Sequence, residues 1–218
     1  PNPEVADIVI PQFGAQNGRF MNDLGVQSPE ARSLFIIFNP DVFGTAKTHM
    51  VGFQRKDANT LFMYIDEKTI PAAELVDRKN PSTSWFWTPL DTKRPYWADV
   101  SRTEDGGEIV TYAMPVLIGE DIVAVAGMTF DFSFVRETLK AVKIYDSGYP
   151  FLMNRNLKYL YHPTLSFDGP GFREVSNGYF AKYADDILNK GKGRIDYPWE
   201  NDQKTMSYYT MENGYILF

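Results

Sequence analysis

Residues 85–163 run through strand and helix patterns in one fixed succession, with little chain left over between them. Trp85 to Ser101 is aromatic and broken by proline, which predicts a covering loop with short pieces of strand. Asp105-Gly106-Gly107 is a turn signal. Glu108–Val116 and Asp121–Phe130 then flank Ile118-Gly119-Glu120 and predict a hairpin. Its second strand holds the run IVAVAGM without polar alternation, so it is expected in the middle of a sheet, covered on both faces. From Asp131 to Tyr145 the period changes, with Phe132, Val135, Leu139 and Val142 at helical spacing. Asp131 or Ser133 can cap its start, and Lys140 and Lys143 suit its C-terminal end. After Gly148 the hairpin pattern returns: Tyr149–Asn154 and Lys158–His162 flank Arg155-Asn156-Leu157. That order predicts two similar α+β sheets in series, the first with a pocket.

The flanking chain completes both halves. Pro11, Gly14 and Gly18 are poor for a long helix, so the first 30 residues or so are expected to be partly irregular. The run SLFIIF, residues 33–38, reads as a buried strand. His49–Arg55 and Thr60–Asp66 flank the turn residues Lys56 to Asn59 and predict a hairpin. Pro71 to Asn80 can hold a short helix that Asn80-Pro81-Ser82 ends. Downstream, Phe180, Ala184, Ile187 and Leu188 mark a helix closed by Gly191. Gly193–Tyr197, Thr205–Met211 and Gly214–Phe218 read as three closing strands. The repetition is one of element order, not of a short sequence repeat. The chain opens on PNPEV and stops at ILF inside what reads as a strand, as a piece cut from a longer protein would.

At 218 residues and 44% hydrophobic content the chain can bury a sizeable core. Its 15% aromatic residues favour β structure and lined pockets. The net charge of −6, without a basic run, argues against a nucleic-acid partner. There is no cysteine, which removes disulfides and thiolate metal sites and suits an oxidising compartment.

No catalytic apparatus stands out. Glu104, Asp105 and Glu108 cluster around one turn and Glu120 and Asp121 form another, which reads as solvated turn chemistry rather than a glycosidase pair. His49 and His162 lie far apart, outside any metal-ligand spacing. There is no G-x-S-x-G elbow, and Gly169-Pro170-Gly171 lacks the Lys of a phosphate loop. Trp85, Trp87, Tyr96 and Trp97 are amphipathic rings that suit ligand walls or a satellite core. Asp131 ends the apolar strand, where it reads as a helix cap, a pocket carboxylate, or both.

Several segments together resemble the double Cache family of extracytoplasmic sensor domains. They are NPDVFG, WFWTPLDTKRPYW, GGEIVTYAMPV, AVAGMTFDFSFV and KIYDSGYPFLMNRNLKYLYHP, with KGKGRIDY and the closing GYILF. The likeness runs from about Ser33 to the C-terminus. It implies two tandem PAS-like modules, each an antiparallel sheet flanked by helices, stacked along an N-terminal helix. The expected boundaries are 1–32 for the N-terminal segment, 33–144 for a membrane-distal module and 145–218 for a membrane-proximal one. It also implies dimerisation through that helix, though Gly and Pro residues interrupt it here. The amino-acid-binding branch has an Arg where Thr83 stands, and a Tyr and an Asp where Ser101 and Thr103 stand; of its strand-end acid, Asp131 is kept. A neutral, aromatic or cationic ligand is therefore easier to accommodate than an α-carboxylate.

The expected function is that of an extracytoplasmic ligand-binding domain of a membrane-anchored receptor, a histidine kinase, chemotaxis receptor, diguanylate cyclase or phosphatase. It is expected at the periplasmic or outer face of the membrane, without enzymatic activity, cofactor or metal of its own. Trp85, Trp97, Tyr112 and Asp131 are the first candidates for the pocket, followed by Tyr64, Ser101 and Met114. The alternatives are a secreted hydrolase acting on sugars, which needs two facing carboxylates, and a carbohydrate-binding module with an open aromatic platform.

Overall fold

The computed structural model describes residues 3–43, 49–56, 63–65, 78–103 and 106–218. The chain divides into two compact units, Pro1–Phe132 and Ser133–Phe218. Each is built on its own antiparallel sheet.

The first unit begins with helix α1, Pro3–Gln27. Pro11, Gly14 and Gly18 do not break it, which corrects the expectation of an irregular start. Packing outweighs propensity here. Met21 joins Leu34, Val51 and Phe53 in a buried cluster, with Phe13 and Leu24 packed against it. Gly18 faces Phe53, whose ring would be 3.7 Å from a Cβ at that position, an ordinary contact. Arg55 fixes the end of α1: its guanidinium donates to the carbonyls of Gly25, Ser28 and Ala31 at 2.9–3.1 Å.

Strand β1, Ala31–Phe38, follows, then a helical turn α2, Pro40–Phe43. Strands β2, Met50–Gln54, and β3, Met63–Ile65, pair antiparallel as expected. The turn between them, like most of the helix expected over Pro71–Asn80, lies outside the described residues. Asn80-Pro81-Ser82 starts a helical segment. The Asn80 Oδ1 accepts from the Ser82 N–H at 3.0 Å, and Pro81 occupies the first turn.

The loop expected over Trp85–Ser101 begins as helix: α3 spans Ser84–Thr92 despite Pro89, and Lys93 closes it in the left-handed conformation. Two short strands follow, β4 at Tyr96–Trp97 and β5 at Ser101–Arg102. Strands β6, Glu108–Ile118, and β7, Asp121–Asp131, form the expected long hairpin across Gly119, at φ 63°. The sheet order is β3-β2-β1-β7-β6-β4, with β5 also on β6, so β7 is central as its composition demands.

In the second unit α4 covers Ser133–Ala141, shorter than the span its periodicity suggested. Strands β8, Leu152–Met153, and β9, Tyr159–Tyr161, flank a turn in which the Asn154 Oδ1 accepts from the N–H groups of Asn156 and Lys158. Helix α5, Ala181–Lys190, ends at Gly191 in the left-handed conformation. Strands β10, Lys192–Trp199, β11, Asp202–Thr210, and β12, Ile216–Leu217, complete the sheet in the order β10-β11-β12-β8-β9. Its core includes Met153, Phe172, Ala184, Ile187 and Ile216. In both sheets the unit's first strand lies beside its last, a PAS-like order.

Candidate functional site

Directly opposed residues of an antiparallel sheet point to the same face. The register therefore sorts the candidate residues. Leu34, Met128, Tyr112 and Trp97 form one row across β1, β7, β6 and β4. This face carries α1, since Leu34 and Met128 belong to the cluster around Met21. Phe35, Gly127, Ala113 and Tyr96 form the next row on the opposite face. That face carries α3, whose Phe86 and Trp87 are buried with Phe35, Ala113 and Val125.

The sequence candidates thus divide. Trp97 and Tyr112 meet on the α1 face, their ring centroids 4.9 Å apart, and Trp97 stacks on Phe130 at 5.9 Å. Met114 shares that face by alternation and is exposed. Trp85, Ser101 and Asp131 belong to the α3 face. Trp85 stands edge-on to Phe35 at 5.0 Å and packs on the α3-side core. Asp131 opposes Ile109, which opposes the exposed Ser101. Tyr64 lies on β3 opposite Phe53.

Three further features of the α3 face were not singled out from sequence. Gly127 is one: a Cβ there would lie 2.3 Å from the Phe35 Cζ and 2.9 Å from the Tyr112 carbonyl oxygen, so Phe35 lies directly over it. The others are Thr111 and Thr129, opposed in register, both buried, with their hydroxyls 3.2 Å apart. Only the β6–β7 register reveals that pairing; the sequence shows two unremarked threonines.

The outer side of α3 is held by Arg78. Its guanidinium pairs with Asp41 at 2.6 Å and Asp91 at 3.3 Å, and lies 4.3 Å from the centre of the Trp87 ring. Exposed ion pairs contribute little singly, but this one also stacks on a buried indole and ties α2 to α3. Thr83, buried at the start of α3, donates its hydroxyl to the Asn80 carbonyl at 3.0 Å.

The α3 face therefore combines two aromatic rings edge to face, a pair of hydroxyls that donate or accept, and a carboxylate at the strand end. Such a set offers chemistry suited to a small molecule with an apolar body and a donor group. Among the described residues no three His, Cys, Asp or Glu side chains group as metal ligands. Of the acids at the two turns, Glu120 and Asp121 are exposed, whereas Glu108 is the half-buried first residue of β6, not a turn residue. Glu104 and Asp105 lie outside the described residues.

No family model and no curated protein matches the sequence. Solved structures do match it. The extracellular domain of the histidine kinase mmHK1S-Z2 aligns with a TM-score of 0.71 at 15% identity, over 94% of this chain and 80% of that one. Methyl-accepting chemotaxis protein X aligns with a TM-score of 0.66 at 16% identity, over 94% and 79%. The ligand-binding domain of the Pseudomonas aeruginosa amino-acid chemoreceptor PctC, in complex with GABA, aligns with a TM-score of 0.56 at 15% identity, over 88% and 74%. The chain has the fold of these sensor domains.

Proposed function

We propose that this chain, sharing its fold with the extracellular and ligand-binding domains of histidine kinases and chemoreceptors, is the extracytoplasmic sensing part of a membrane-anchored receptor. The observation that carries this reading is the match, over 94% of the chain, to the extracellular domain of a histidine kinase. The first sheet belongs to the membrane-distal module, over about residues 33–144, and the second sheet to the membrane-proximal one, over 145–218. The domain senses and does not catalyse; among the described residues no helix is long and apolar enough to cross a membrane.

The ligand binds on the α3 face of the first sheet. Trp85 and Phe35 hold its apolar or aromatic body, Thr111 and Thr129 lie beneath, and Asp131 accepts from a cationic or hydrogen-bond-donating group. Structures of similar fold contain GABA and asparagine. Thr83 offers no cation to an α-carboxylate, and its hydroxyl is already taken by Asn80. The ligand class favoured here is therefore an amine, or a neutral aromatic compound with a donor group. Trp97, Tyr112 and Met114 stand outside this site.

Binding moves a receptor only by its differential affinity for two states. The first test is a thermal-shift screen of the chain against small amines and amino acids. A ligand at a hundredfold above its Kd stabilises by about 2.7 kcal/mol, a visible shift. Asp131→Ala then weakens binding of that ligand about tenfold or more, while far-UV circular dichroism stays unchanged. Unaltered affinity in Asp131→Ala removes the carboxylate from the site.

A further inference from the structure

The second unit carries a groove of about 490 Å³, apart from the surface described above. That volume falls in the range of small-molecule sites. Its lining comes from the last turn of α4, the turn that follows, and the end of β9. Leu139, Val142, Tyr149 and Tyr161 give it apolar walls with phenolic edges.

One wall is fixed. The Tyr149 ring stands edge-on to His162 at 5.3 Å. The His162 ring is itself held, because its Nδ1 accepts the N–H groups of Thr164 and Leu165 at 3.1 and 3.2 Å. The opposite character belongs to Tyr145. It occupies the tight turn that the Gly148 N–H closes onto the Ile144 carbonyl at 2.8 Å. Its φ is 50°, a left-handed backbone that is unfavourable for a bulky L-residue. Yet its ring is 98% exposed, so the fold gains no burial in return. A ring in this state gains contact when a guest occupies the groove beside it.

The charges give the guest its sign. Lys140 and Lys143 line the groove against the single acid Asp146. Among the described residues Lys140 reaches only Glu137, at 3.9 Å between two exposed groups. Lys143 has neither ion pair nor hydrogen bond among the described residues. The carbonyl end of α4 opposes an anion, but Lys143 lies two residues beyond the helix, and a charge-assisted hydrogen bond outweighs the dipole there.

We propose that this groove is a second binding site, for a small organic carboxylate with a flat apolar body: the carboxylate meets the Lys143 ammonium, the body lies on Tyr149, and Tyr145 closes over it. The site is independent of the sensing face of the first unit. Phenylacetate, phenylacetamide and phenethylamine are suitable probes, titrated into the whole chain and followed by side-chain NMR. Phenylacetate is expected to bind in the millimolar range or tighter, shifting the Tyr145 and Tyr149 rings and leaving the Trp85 indole unmoved. Lys143→Ala and the neutral amide each weaken binding about tenfold, and Lys143→Arg restores most of it. Both variants alter an exposed side chain, and their signal dispersion reports that they fold. The proposal is overturned if phenylacetate leaves both tyrosines unshifted or shifts only first-unit signals. It is equally overturned if the amide, the amine or Lys143→Ala binds as well as the parent pair.

Discussion

Gly127 and Phe35 face one another across a single register position, and the ring occupies the space a side chain would need. Gly127→Ala sets a methyl against the ring and against the Tyr112 carbonyl, and the backbone cannot swing aside as a flexible side chain would. Urea denaturation of this variant is expected to show a loss of about 1–3 kcal/mol. An unchanged midpoint contradicts the close approach. His162 works by a different term. Burial lowers its pKa below the ordinary 6.5. Its Nδ1, accepting two backbone N–H groups, cannot take a proton without losing both. The unfolded chain binds the proton first, so stability is whole above about 6.5 and falls with pH from there down to the folded value. His162→Asn removes the titration, and its stability is expected to change less with pH across that window, measured by chemical denaturation at a series of pH values. The role of Gly127 was not legible beforehand. Gly127 read as one more residue of an apolar strand, because Phe35, which lies over it, is far off in the sequence; the backbone groups that His162 accepts from, Thr164 and Leu165, are by contrast its near neighbours.

Two helices separate what local pattern reveals from what packing decides. For α1 the residues themselves argue against regularity, and the helix forms because Phe13, Met21 and Leu24 bury against β1 and β2. The glycine cost is real and recoverable. At Gly18 a Cβ would make only an ordinary contact of 3.7 Å with Phe53, so Gly18→Ala is expected to raise stability by about 0.5–1 kcal/mol in thermal or urea unfolding. A loss would mean that the helix cannot accept even that contact. For α3 the same tripeptide, Asn80-Pro81-Ser82, serves equally as a stop or a start signal. Asn80 caps the backbone that follows it, and Phe86, Trp87 and Leu90 hold that backbone as a helix by meeting the sheet from one side. The β6–β7 hairpin, by contrast, was plain, since period two, a glycine turn and an apolar central strand all agree.

Each unit has its own core. One gathers around Ile187 and Phe172 in the second unit; two others lie on the opposite faces of the first sheet. Ile187→Ala, at a site with no solvent exposure, is expected to cost about 2–5 kcal/mol. Hydrogen exchange should quicken in 133–218 while β1, β6 and β7 keep their protection; equal loss in both units would contradict separate cores. Composition and periodicity alone determined the α+β class and two successive sheets, because alternation and turn chemistry are local and survive without knowledge of neighbours. Only tertiary structure decided which candidates can act together. Trp97 and Tyr112 lie close in sequence to Trp85 and Asp131, yet the sheet separates them, since one step along a strand carries a side chain through to the other face.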